Sequence, residues 1–410
     1  MSEKDIKSGT NRFVIRGKVV LDENTFKLNN QKEGSSYIYN LMNLNIDCGK
    51  NGVIRTKMQG GYSTNGQRIF VHGVKKEENR IVDDWENRFE IDWEDRFNFN
   101  KIQEVGRSCF VKVALEKDEN NVLKRKNFLS PFDAINYIKE KVVNGMFVEV
   151  KGKLKFDVNM SNPNNPYISK EIQSISLSST NKSETSCVEL TTVINDKNIV
   201  DFTPDENGFI NVNSYVSSYV GKIGNVQVKK NLCLPFNFCI DTKKTTAYSK
   251  IINKFFSVYP NKLAELSVLL EVKQGNENVT ETVNVAEYSD DIKELIELGI
   301  MSEEDAKAEV VKGVPNQNSF DRYVFTRPLL NNEGNIMFSQ AKYDENDLST
   351  VNDYILDNEE TEEKENNTTK KEEKDSIDTL KELGIDLDDT ENFFNLDEEE
   401  LNIDDNDLPF

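Results

Sequence analysis

The stretch that most constrains the fold runs from Met146 to Val158, MFVEVKGKLKFDV. At period two, Val148, Val150, Gly152, Leu154, Phe156 and Val158 share one face of a strand, and Glu149, Lys151, Lys153 and Lys155 share the other. A helix precedes it. Ser130 supplies the N-cap, Pro131 the first turn, and Phe132, Ile135, Ile138 and Val142 recur at helical spacing until Asn144-Gly145 stops it. An antiparallel hairpin needs no helix between its strands. A five-stranded barrel uses one to plug its end.

The strands such a barrel requires lie upstream and downstream. Phe13 to Val20 alternates around Gly17. In Tyr37 to Ile46, Ile38, Met42, Leu44 and Ile46 oppose Tyr37, Tyr39, Leu41, Asn43 and Asn45. The turn DCGKNG follows, and then Ile54, Thr56 and Met58 oppose Val53, Arg55, Lys57 and Gln59. Phe110 to Leu115 reads as a short strand, and Ile168 to Leu177 closes the set. The order predicts a mainly β chain whose residues 10–178 form an OB-fold barrel. Residues 77–100 interrupt it as an insertion carrying Trp85, Phe89, Trp93, Phe97 and Phe99 among acids, expected to pack its rings on the body.

After a polar joint at 178–188 the pattern recurs. Leu232, Leu234, Phe236, Phe238 and Ile240 alternate, with Pro235 demoting the strand to an edge or a bend. A helix with Tyr248, Ile251, Phe255 and Val258 on one stripe ends at Pro260, and Leu266, Val268, Leu270 and Val272 alternate after it. Acidic helical segments at 290–312, with Ser302 and Asp305 in a capping-box pattern, read as a second insertion, and Arg322 to Leu329 as a last strand. Residues 188–343 are therefore expected to form a second OB-like α+β domain. A body of this length can hold two ordinary cores.

Charge separates body from tail. The chain has 51 Lys+Arg and 72 Asp+Glu, a net charge of −21, and the 26 acids and 5 lysines of residues 344–410 account for all of it. The body is neutral, so the acidic average does not argue against a polyanionic partner. Residues 344–410, with runs such as EETEEKENNTTKKEEKD, are expected to be a disordered acidic tail, because they cannot repay the entropy of ordering.

Several function classes lose support. No apolar run approaches the roughly 18–20 residues of a membrane span, and the start lacks a signal layout. Five scattered cysteines suit reduced thiols in a cytoplasm, and a single histidine, His72, disfavours triads and zinc sites. There is no phosphate-cradling Gly-rich loop and no nucleophile elbow. No enzyme, cofactor or metal is expected, although a carboxylate-only nuclease has no motif to exclude.

The last seven residues, Asp404-Asp405-Asn406-Asp407-Leu408-Pro409-Phe410, and the segment NGMFVEVKGKLK resemble bacterial and bacteriophage single-stranded DNA-binding proteins. The resemblance implies a protein that coats single strands in DNA replication, recombination or repair. It also implies that Asp404, Asp405, Asp407, Leu408, Pro409 and Phe410 dock onto partners such as a polymerase, primase, helicase or its loader, or nuclease. A bacteriophage origin would place it in the host bacterial cytoplasm. The Glu/Lys/Asn linker and the second domain depart from the usual member, which leaves the oligomeric state open. The tip also has its own physics: Pro409 lowers the entropy lost on docking, Phe410 offers a ring and a carboxylate, and the acids steer toward a basic partner.

Binding single strands needs cations along phosphates and rings under bases. The outward face supplies Tyr37 and Tyr39, then Arg55 and Lys57, then Lys151, Lys153 and Lys155. Tyr62, Arg68 and Phe70 of GGYSTNGQRIF join them, with Lys124, Arg125, Lys126 and Phe128 from the loop entering the helix. A tethered tail would compete for this groove, so removing 344–410 is expected to tighten binding. Two other readings stay open: a replisome scaffold or nucleic-acid mimic without direct DNA affinity, and RNA as the ligand.

Overall fold

The computed structural model describes residues 5–78, 80–224, 226–244, 247–276 and 319–354. The expected insertion at 290–312 and the tip at 404–410 lie outside them. In chain order the first half contains β1 (Asn11–Val20), β2 (Phe26–Gln31), β3 (Tyr37–Asp47), β4 (Val53–Ser63), β5 (Arg68–Glu77) and β6 (Arg80–Asp92). It continues through α1 (Phe99–Ile102), β7 (Val111–Lys117), β8 (Leu123–Phe128), α2 (Pro131–Lys141), β9 (Phe147–Asp157) and β10 (Tyr167–Leu177).

Five of these strands close a ring in the order β1, β3, β4, β10, β9. All contacts are antiparallel except that of β4 with β10, which meet in parallel at Lys57 and Glu171. This is the five-stranded OB circuit, with α2 between its third and fourth strands. Alternation explains the inside: Phe13, Ile15, Met42, Leu44, Ile54, Val148 and Val150 are buried. Each such side chain contributes roughly 1.5–3 kcal/mol on leaving water. Ala134, Ile135 and Ile138 of α2 are fully buried at the end of the ring, as the helical stripe predicts. Ser130 caps the helix by accepting from the Phe132 N–H at 3.2 Å.

The second half repeats the circuit with β11 (Thr185–Ile194), β12 (Phe209–Ile223), β13 (Val226–Asp241), α3 (Tyr248–Phe255), β14 (Lys262–Asn276), β15 (Ser319–Pro328) and β16 (Phe338–Asp344). The ring runs β11, β12, β13, β15, β14, with β13 and β15 parallel at Cys239 and Val324, and α3 lies between its third and fourth strands. Among the described residues nothing pairs the second edge of β13 at Pro235, between Cys233, which bridges Thr350, and Cys239.

The first strands of the two rings pair with each other, antiparallel, from Asn11 opposite Leu190 to Arg16 opposite Thr185. Equivalent strands joined this way relate the rings by a local pseudo-two-fold. The two cores expected from length are one continuous cluster, running from Phe13 and Ile15 through Val188 and Leu190 to Phe236. Phe156 of the first ring meets Phe236 of the second edge-on at 6.0 Å. Beside them Lys170, 3% exposed, pairs with Asp321.

Two segments differ from expectation. The insertion begins at Arg68: β5 and β6 form a separate two-stranded sheet, an arm rather than part of the ring. Its root packs on the body through Trp93, but Trp85, Phe97 and Phe99 remain exposed. Residues 344–354, read as the start of the tail, are built into the second ring. The Cys233 N–H donates to the Ser349 carbonyl at 2.8 Å, and Val351 is 1% exposed in the core.

Candidate nucleic-acid interface

Tyr37 and Tyr39 stand two residues apart on β3 and so leave the ring on the same side. Their rings lie 6.2 Å apart at 18°, stacked side by side. Gly61 on β4, opposite Tyr39, makes the room. A Cβ there would stand 2.7 Å from the Tyr39 Cβ and 2.8 Å from the Tyr37 Cζ. Its neighbour Gly60 does the same for α2, since a Cβ would lie 2.7 Å from the Pro131 Cβ. The Asn40 Nδ2 locks that contact by donating to the Phe132 carbonyl at 3.1 Å and the Asn136 Oδ1 at 2.9 Å. Burial pushes the Tyr37 hydroxyl upward, so the ring is neutral.

Arg55 and Lys57 follow on the outer side of β4, opposite Asn45 and Asn43. The row continues around the ring: Lys57 meets Glu171 of β10, and Glu171 lies opposite Lys153 of β9. The β9 lysines are therefore two strands away from Arg55 and Lys57, round the curve of the barrel. Lys151 pairs with Glu149 at 2.7 Å, and Lys155 with Asp157 at 3.4 Å and Glu171 at 3.8 Å. Among the described residues Arg55, Lys57 and Lys153 form no ion pair, which leaves them free for phosphate.

The basic run Lys124-Arg125-Lys126 is a strand and not a loop. β8 pairs with β7, and β7 extends the sheet beyond β10. A strand cannot place three consecutive side chains on one face. Lys126 lies over the Tyr137 ring of α2 at 4.2 Å, and Lys124 stands opposite Glu116, whose carboxylate accepts from the Tyr137 hydroxyl. Arg125 takes the other face, with Lys112, which is opposite Ser174 of β10. Lys112 was not singled out in the sequence; its pairing across β10 gives it this place. Phe128 is half-buried against Tyr137, with centroids 5.4 Å apart.

Three expected residues stand apart from the tyrosine pair. Tyr62 points to the opposite side of β4, stacked on Trp93 at 4.7 Å and edge-on to Phe132 at 5.3 Å. Arg96 covers Trp93 at 4.0 Å and bonds Asp133 at 2.7 Å, closing that cluster. Arg68 pairs with Glu90 at 2.7 Å, and Phe70, 67% exposed, stands on the arm.

The lone histidine ties the arm's base. The His72 Nε2 lies 3.0 Å from the Ser108 Oγ and 3.3 Å from the Asp83 Oδ2, while its Nδ1 faces the Cys109 Sγ at 3.3 Å. A catalytic triad needs the acid on the nitrogen away from the serine, and here both share Nε2. Burial raises the Asp83 carboxyl, but bonds from Ser108, His72 and the Arg107 and Ser108 N–H groups outweigh it and bring it down to about 2. Trp85 stacks on His72 at 3.9 Å. Among the described residues no group of three or more His, Cys, Asp or Glu side chains could hold a metal ion. No helix among them is long and apolar enough to cross a membrane.

On the second ring the chain itself covers part of the corresponding outer side. Ile6, Val193, Cys233, Leu263 and Tyr343 form a small buried cluster against Tyr215 and Leu348. The Ser217 hydroxyl donates to the Ile6 carbonyl, and the Thr10 N–H to the Thr191 Oγ1 at 2.9 Å.

No family model matches the sequence, and no curated protein matches it. Among solved structures, the wild-type single-stranded DNA-binding protein from Thermus aquaticus is similar at 10% identity. The match covers 66% of this chain and 87% of that one, with a TM-score of 0.28. A deletion mutant of the same protein is similar at 8% identity, covering 65% and 88%, also with a TM-score of 0.28. A TM-score of 0.28 is too low for the likeness to carry weight for fold or function.

Proposed function

We propose that the outer face of the first ring binds single-stranded DNA without strong sequence preference, and that the protein coats single strands during replication, recombination or repair. The observation that carries this reading is the stacked Tyr37–Tyr39 pair over Gly61, with Arg55 and Lys57 further along the same face of β4 and without an ion pair among the described residues. Flat rings suit unpaired bases, since stacking is worth about 1–3 kcal/mol per base and every base has a face to stack. Paired bases keep their faces inside the duplex and cannot use them. Lys153, Lys112 and Arg125 extend the cationic surface along the same sheet and around the ring.

The terminal Asp404, Asp405, Asp407, Leu408, Pro409 and Phe410 would recruit replication or recombination proteins. The acids would steer the tip, and Phe410 would fill a pocket. The test is an anisotropy titration with one unstructured single strand, its duplex and the matching RNA, on the full chain and on residues 1–354. Single strands are expected to bind more tightly than duplex, and binding is expected to tighten without 355–410. Equal affinity for duplex, or none for either, refutes the reading and favours a scaffold.

A further inference from the structure

We propose a second single-strand contact on the tip of the β12–β13 hairpin, carried by Tyr219, Lys222, Lys229 and Lys230. It rests on the reading of the first ring as a strand-binding surface and extends that surface onto the second ring. From Phe209 to Ile240 the chain has no acid, in a protein with 72 of them, while Lys222, Lys229 and Lys230 are basic. Lysines on a hairpin that carries no acid of its own attract a polyanion.

The tip is built outward. A register shift between Val220 and Lys222 places its extra residue on β13, where Lys229 lies, and leaves Ile223 5% exposed in the core. Tyr219 is 54% exposed, and the three lysines are exposed. Among the described residues none of the three forms an ion pair, and Lys230 rests over the Tyr354 ring at 4.9 Å. Lys229 is held at φ 50°, a left-handed conformation that lysine rarely adopts.

Position links the tip to the first ring. It abuts the turn between β9 and β10: a Cβ on Gly224 would lie 3.7 Å from the Met160 Cε, and the Asn352 Nδ2 donates to the Asn164 Oδ1 at 2.9 Å. Tyr167, 63% exposed, opens β10 directly after that turn. A strand leaving Arg55 and Lys57 across β10 meets Tyr167 and then the hairpin. Ile6, Tyr343 and Leu348 cover part of the second ring's outer side, while Tyr219 and the three lysines stay exposed.

The test uses the full chain with Lys222→Gln, Lys229→Gln and Lys230→Gln, with and without Tyr219→Ala. Anisotropy is read on an oligonucleotide of about 8 nucleotides, within the roughly 4–16 that one barrel holds, and on one of about 35. The short strand is expected to bind as to wild type. The long strand should weaken about tenfold and lose about 2 from its salt slope, from three phosphate contacts at about 0.7 each. Unchanged long-strand binding overturns the proposal. Tighter binding also overturns it, because the tip would then hold the chain's own acidic tail. A Tyr37→Ala, Tyr39→Ala control separates the two readings: if it leaves the short strand unaffected, the first-ring reading has failed.

Discussion

Gly61 shows how much of the interface rests on one missing side chain. The tyrosines above it can lie flat only because β4 offers no Cβ, and even the Ile38 carbonyl oxygen would be 2.3 Å from one. Gly61→Ala is expected to push the rings off the strand and weaken single-strand binding by the value of about one stacked base, 1–3 kcal/mol. Titration beside wild type checks this, and an unchanged affinity would remove the pair from the site. The pair was legible in the sequence, because period two fixes which side chains leave a barrel together. Tyr62 was not: its neighbour in space, Trp93, belongs to a segment the sequence marks only as an insertion, and no local pattern announces their 4.7 Å stacking.

At the scale of elements, the legible parts were those with strong alternation or helical stripes. β3, β4, β9, β13 and β14 read directly, as did α2 and α3, and their recurrence signalled the second circuit. β11 and β12 were missed. The first begins inside a polar joint, and the second buries Ser214 and Ser217 among its apolar residues, which blurs the alternation. Reading residues 124–126 as a loop hid the one constraint that matters there, the two faces of a strand. Arg125→Gln is therefore expected to lower single-strand affinity and remove about 0.7 from the salt slope. Lys126→Gln should leave the slope unchanged, because Lys126 faces the Tyr137 ring of α2, on the side of β8 away from Arg125. Equal slopes for the two variants would contradict the assignment of faces.

Across the whole molecule, the shared core makes the two rings one structural unit, a result that length and composition could not supply. The Lys170–Asp321 pair crosses between them. Burial alone pulls the Lys170 ammonium down, and Tyr323 and Asp321 outweigh it, so its pKa is raised. Removing Asp321 strands a buried charge, whereas removing Lys170 leaves a carboxylate that is 32% exposed. Asp321→Ala should thus cost about 3–5 kcal/mol in denaturant melts, and Lys170→Met distinctly less. The reverse order would place the pair outside the rings' load path. The same unity explains why a tail deletion belongs after Tyr354: cutting at 343 would also remove Leu348 and Val351 from their pockets.

The central claim is that single strands bind by stacking on Tyr37 and Tyr39, with Arg55 and Lys57 further along the same face. Its most direct test is the affinity of a short single strand for the folded Tyr37→Ala, Tyr39→Ala variant at two salt concentrations. The expected result is a loss of about tenfold or more with the salt slope nearly unchanged, because rings and not charges have been removed. Wild-type affinity in a variant that melts like the parent would contradict the account.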